Sequence, residues 1–163
     1  MRPIYFQGKL QKSPFQVPSG IPEDTLQELG LTYFSYGLIS QNEVVLSYFT
    51  HEEWGHLYQE KHYNKIDPLL RGVVYSHFPL ILWDALHACG QEKKLMAERN
   101  DVCKLQSGLT IGITNKECTE IIALGSEIPS RDFYHLLKEE AYTRKIYEMI
   151  SKFYTMHKEP ILH

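Results

Sequence analysis

Long apolar runs, paired cysteines and clustered basic charge are all scarce in this sequence, and each scarcity excludes a class of protein. No run of about 18 apolar residues is available to span a bilayer, and the N-terminus lacks a signal-peptide h-region. The three cysteines, Cys89, Cys103 and Cys118, stand far apart, are odd in number and form no C-x-x-C. Disulfide scaffolding and structural zinc are therefore not expected, and a reducing, cytoplasmic setting is. Lys and Arg are scattered, and the net charge is −3. Without a basic stripe to neutralise phosphates, this chain is not expected to bind nucleic acid itself. No G-x-S-x-G, Walker loop or dinucleotide fingerprint occurs. His51-Glu52 fails as a zinc motif because the next histidine, His56, falls at i+5, on a different helix face. Ser35 and Ser107 have no neighbouring base signature. No catalytic nucleophile, metal or cofactor is expected, and an enzyme is the least favoured class.

What remains is globular. The chain has 163 residues and is 43% apolar, which predicts one domain over 1–163 with one core. After a stretch rich in proline and glycine, Glu23 to Leu29 reads as a short helix closed by Gly30. Thr32 to Ile39 and Val44 to Phe49 read as strands of a hairpin around Ser40-Gln41-Asn42-Glu43. Thr50 and Glu53 have capping-box spacing, which predicts a helix with Trp54, Leu57 and Tyr58 on one face. Asp67-Pro68 is a strong helix start, with aspartate as N-cap and proline at the first helical position. Leu69 and Val73 form that helix's inner side, and Pro79 precedes a short strand, Leu80 to Trp83. Glu92 to Asp101 is helical, with Leu95 and Met96 as apolar positions. Leu109 to Ile113 and Thr119 to Leu124 make a second hairpin. One long helix is expected from Ser130, as N-cap, to about His157. Its apolar residues lie on two sides, so it is either covered within its own domain or meets a second subunit. The predicted class is α/β (α+β), with about five mostly antiparallel strands.

The segment Trp54, Tyr58, Tyr63, Asp67, Pro68, with Trp83 downstream, carries most of the information. A carboxylate and an indole N–H brought to one apolar place can read a ligand that is greasy at one end and amide-like at the other. Each residue also has a plainer role. Asp67 can simply cap a helix, the tryptophans can simply be core, and Tyr58 and Tyr63 can lean on the core with wet hydroxyls. A buried carboxylate would still need a donor.

This pattern, together with Phe34-Ser35-Tyr36-Gly37-Leu38 and Gly108, resembles the autoinducer-binding domain of LuxR-type quorum-sensing regulators over about Leu31 to Leu124. The resemblance implies an α/β/α sandwich that binds an N-acyl-homoserine lactone between the sheet and the helices of one side. By the same resemblance, Trp54 donates to the lactone carbonyl, Asp67 accepts from the ligand amide, Trp83 packs near the ring and Tyr58 lies beside the polar head. Tyr63, Thr50, Thr110, Ala123 and Ser35 complete the candidate ligand-binding set. Three positions depart from the family: Thr50 replaces a tyrosine, Ala123 a Ser or Thr, and Lys104 a glycine. The resemblance further implies a homodimer and transcriptional output through a C-terminal helix-turn-helix domain that this chain does not contain. Two alternatives stand beside it. One is a non-sensing dimerisation module that pairs with full-length regulators; the other is a GAF- or PAS-like sensor of another metabolite. The sensor reading requires that the Asp67 carboxylate face the interior and that space exist between sheet and helices.

Overall fold

The β-branched and aromatic runs pair into one antiparallel sheet, and the amphipathic helices cover its two faces. The computed structural model describes residues 2–5, 23–41, 43–116 and 118–162; the proline-rich stretch 6–22 lies outside them, as do Asn42 and Glu117. In chain order the elements are β1 (Arg2–Tyr5), α1 (Glu23–Glu28), β2 (Leu31–Ser40), β3 (Glu43–Phe49), α2 (Glu52–Glu60), α3 (Pro68–Val74), β4 (Leu80–Leu82), α4 (Gly90–Cys103), β5 (Ser107–Thr114), β6 (Thr119–Ser126), α5 (Ser130–Leu137) and α6 (Glu140–Leu162). Short 3-10 turns cover Tyr63–Lys65 and Trp83–Ala85.

Among the described residues the sheet has six strands in the order β1-β3-β2-β6-β5-β4, one more than the sequence reading, because Arg2–Tyr5 adds to the outer edge of β3. Both predicted hairpins form, and β2 and β6 join them at the centre of the sheet. Alternation along the strands divides the core in two. Phe34, Tyr36 and Leu38 face α1, α5 and α6. Tyr33, Phe49 and Ala123 face α2, α3 and α4. The architecture is the expected α/β/α sandwich.

Three local expectations need correction. Thr50 and Glu53 form no capping box. The N-cap of α2 is His51, and Thr50, one residue past the end of β3, is held by the neighbouring strand instead. Its N–H donates to Phe34 O, and its Oγ1 accepts from Phe34 N–H, both at 3.0 Å. An unpaired strand amide thus claims the hydroxyl that a helix would have used.

Secondly, the long C-terminal helix is two helices, broken at Lys138 and Glu139. Thirdly, Pro129 rather than Ser130 is the N-cap of α5, and Ser130 Oγ instead donates to Gln106 O at 2.9 Å. The apolar stripe changes side between Leu137 and Tyr142, so a straight helix would leave half of it in water. The break lets Phe133 of α5 and Ile146, Met149, Ile150 and Phe153 of α6 enter the same core.

The end of α4 explains one departure from the family pattern. Lys104 terminates the helix at φ 55°, in the left-handed region. That position favours glycine, and a lysine there costs roughly 1 kcal/mol.

Candidate functional site

On the face toward α2–α4, small side chains run in a row across the middle of the sheet. Register places Phe49 beside Ser35, Ser35 beside Ala123, Ala123 beside Thr110 and Thr110 beside Ile81. Three of the nine candidate residues, Ser35, Ala123 and Thr110, are therefore neighbours on adjacent strands. In the next row Ile121 packs over Gly37 and Val73 over Gly112, so the low ground is the row of Ser35, Ala123 and Thr110. Small side chains here leave depth between the sheet and the helices, which large ones would fill.

Asp67 sits above this floor and is 4% exposed. It caps α3 as expected, its Oδ1 accepting from Leu69 N–H at 3.0 Å. Its Oδ2 accepts from Tyr58 Oη at 2.8 Å and from Arg99 Nη2 at 2.7 Å. Cap and interior contact are combined in one carboxylate, and the donor that a buried carboxylate requires is a full cation. Arg99 itself is 2% exposed. Burial is the largest influence and works against its charge, but Asp67 together with Tyr33 and Tyr58 outweighs it, and the guanidinium stays protonated. Burial, reinforced by the Asp67 charge, pushes the Tyr58 hydroxyl well above its ordinary pKa, so it remains a neutral donor. Tyr33 is pushed up to about 12 by burial, with Arg99 opposing; its hydroxyl lies near Ser35 without making a hydrogen bond.

Arg99 was missed from the sequence. Its guanidinium carbon lies 5.3 Å from the ring centre of Trp54 and 5.6 Å from that of Trp83, within cation–π range of both. Its Nη1 donates to Met96 Sδ at 3.1 Å. One signal could have found it: Leu95, Arg99 and Cys103 follow one another at i, i+4, i+8, and all three are buried. An arginine on the apolar stripe of a helix needs a buried acid, and Asp67 was the candidate acid in view.

A cavity of ≈ 40 Å³ opens beside this ion pair. Its polar lining comes from Ser35, Ser47, Tyr58, Asp67 and Arg99, and its apolar lining from Ile39, Val44, Phe49, Leu69, Leu70, Ile121 and Ala123, with Tyr36 and Gly37 of β2 completing it. Along β2 it extends from Ser35 to Ile39, about 13 Å at the strand repeat. The enclosed volume holds about three water-sized groups, so most of the layer is filled by the protein's own side chains.

The nine sequence-derived residues thus separate into groups. Tyr58, Asp67, Ser35 and Ala123 line the cavity. Trp54 and Trp83 do not line it but flank Arg99. Trp83 Nε1 donates to Thr110 Oγ1 at 2.9 Å, which commits both residues to each other. Trp54 is fully buried, and its Nε1 has no hydrogen-bond partner among the described residues. Tyr63 packs on Trp54 and Tyr58, and its hydroxyl goes to Glu98. Thr50 is held at the strand end by Phe34 and is not in the lining.

Gly108 fixes where Trp83 lies. A Cβ at this position would come within 2.4 Å of the indole ring. Gly108→Ala is expected to cost about 1–3 kcal/mol by overpacking, read as a lowered Tm. An unchanged Tm would show that the ring has room to move.

No curated protein matches the chain at the level of sequence. Solved structures do match in fold. The N-acylhomoserine lactone-dependent LuxR-family transcription factor CepR2 of Burkholderia cenocepacia superposes with TM-score 0.64 at 20% identity, over 83% of this chain and 79% of that one. Escherichia coli SdiA gives TM-score 0.56 at 20% identity, over 84% of this chain. SdiA in complex with octanoyl-rac-glycerol gives TM-score 0.56 at 14% identity, over 87% of this chain. In both SdiA comparisons the chain spans 59% of the matched protein. At these identities the likeness establishes the fold. The family itself is established by sequence: residues 21–141 match the model of the autoinducer-binding domain. A shared fold, and a family match over most of the length, place this chain in the autoinducer-binding domain family.

Proposed function

We propose that the chain senses an acyl signal of the N-acyl-homoserine-lactone class or a close relative. The ligand would lie between the sheet and α2–α4, with its head at Asp67, Tyr58 and Arg99 and its tail along Ile39, Val44, Leu69 and Ile121. The observation that carries this reading is the cavity beside a buried, inward-facing Asp67, lined with hydroxyls and charges around that carboxylate and with aliphatic residues elsewhere. Each CH₂ of the tail buried there contributes about 0.8 kcal/mol. The enclosed volume is smaller than a whole signal needs, so binding opens the layer and completes the core, and ligand stabilises the fold by mass action. Output through a homodimer and through DNA binding belongs to the same proposal. Among the described residues no helix is long and apolar enough to cross a membrane.

One observation favours a second reading, a non-sensing dimerisation module: much of the layer is already packed with protein side chains. The family match leaves no need for a GAF- or PAS-like alternative. Thermal-shift titration with acyl lactones of graded tail length separates the two remaining readings. The sensor reading expects Tm to rise with ligand concentration. It also expects Trp54→Phe to weaken binding by about 1–3 kcal/mol, on top of a loss of unliganded stability of about 1–2 kcal/mol from the void the smaller ring leaves at this fully buried site. Flat titrations across the panel, with an intact dimer, would decide for the module.

A further inference from the structure

One hydroxyl of the cavity lies past the ion pair, among the residues that would carry the tail. We infer that Ser47 is a specificity residue, which reads an oxygen carried on the acyl chain itself, a keto or hydroxyl group some carbons past the head. The inference rests on the sensor reading above.

Register orders the floor from head to tail. Phe49, opposite Ser35, meets the ring of Tyr58 at 5.1 Å, and Tyr58 donates to Asp67, so this row belongs to the head. Ser47, opposite Gly37, is the next residue of β3 on the same face. Val44, opposite Ile39, follows it toward the hairpin turn. All of these residues line the cavity. Rows on one face are about 7 Å apart, a distance that a few carbons of an acyl chain span. A group that bonds Tyr58 and Asp67 is thus one row short of Ser47.

Ser47 is 6% exposed, and its hydroxyl has no hydrogen-bond partner among the described residues. Small size alone does not call for serine here, since Gly37 beside it and Ala123 in the row before are small without a hydroxyl. A buried hydroxyl left unpaired costs stability, so its presence calls for a partner from within the cavity. The walls at the tail end, Ile39, Val44, Leu70 and Ile121, are aliphatic and offer none. A keto oxygen on the chain would accept from the serine, and a chain hydroxyl would donate or accept. An unsubstituted chain would lay CH₂ against the hydroxyl and leave it unpaired.

The test titrates the full chain calorimetrically with N-octanoyl-homoserine lactone and with its 3-oxo and 5-oxo derivatives, which place the keto oxygen at two distances from the head. At least one keto lactone is expected to bind about fivefold tighter than the plain one. In Ser47→Ala that preference is expected to fall to within about twofold, because the donor is gone. The variant removes a buried, unpaired hydroxyl and is expected to keep the parent's Tm. Equal or tighter binding of the plain lactone by the parent, or a preference that survives in Ser47→Ala, overturns this inference while leaving the sensor reading intact. Binding of none of the three overturns both.

Discussion

Arg99→Leu is expected to lower the free energy of unfolding by about 3–5 kcal/mol, and Asp67→Asn by a similar amount, while the double variant regains most of the loss. The reason is the asymmetry of buried ion pairs. Both partners lie out of water, Arg99 at 2% and Asp67 at 4% exposure. Removing either leaves the other as an uncompensated charge, whereas removing both eliminates two desolvation penalties together. Asparagine keeps the helix cap at Leu69 N–H, so the double variant does not also lose the start of α3. Urea unfolding at constant m-value measures each term. Single variants within about 1 kcal/mol of the parent would mean that the pair is not desolvated as described. The result also bears on any ligand-binding assay: Asp67→Asn changes the fold's stability as well as the ligand's partner, so its binding defect alone does not identify a contact.

Phe153→Ala is expected to cost about 3–5 kcal/mol, the range for deleting a buried phenyl ring. Phe153 is 1% exposed, and its ring meets Phe34 at 5.2 Å and Tyr36 at 5.3 Å, both edge-on, from the far side of the sheet. Tyr142 Oη adds a bond to Leu29 O at 2.7 Å, tying α6 to the residues that follow α1. The sequence left two roles open for this helix, internal cover or subunit contact. Packing assigns its Ile146–Phe153 stripe to the interior. The loss should therefore be the same at low and high protein concentration. A loss that disappears at high concentration would place the stripe in an interface instead. Tyr147, on the same helix but 71% exposed, serves as the control, and Tyr147→Ala should change stability little.

Much of the fold was legible because local chemistry decides it. Alternating apolar runs specify strands, and Asp67-Pro68 starts a helix by cap and φ preference alone. Gly30, at φ 70°, ends the turn after α1 as a glycine can. The misreadings occur where two local signals compete or where a partner lies far along the chain. Thr50 was as good a cap as a strand partner, and Phe34, 16 residues away, settled the matter. The break after Leu137 depended on both halves of the stripe having to reach one core.

The same division holds at the candidate site. By itself, the sequence determined the cap at Asp67, the aromatic segment and the family, since these follow from residue type and spacing, whereas strand register aligned Ser35, Ala123 and Thr110 into one floor. Only tertiary structure decided that Arg99, 32 residues from Asp67, supplies its counter-charge and sits between two tryptophans. A buried charge has no periodicity of its own. Its partner is chosen by three-dimensional proximity and desolvation, which spacing along a chain does not encode.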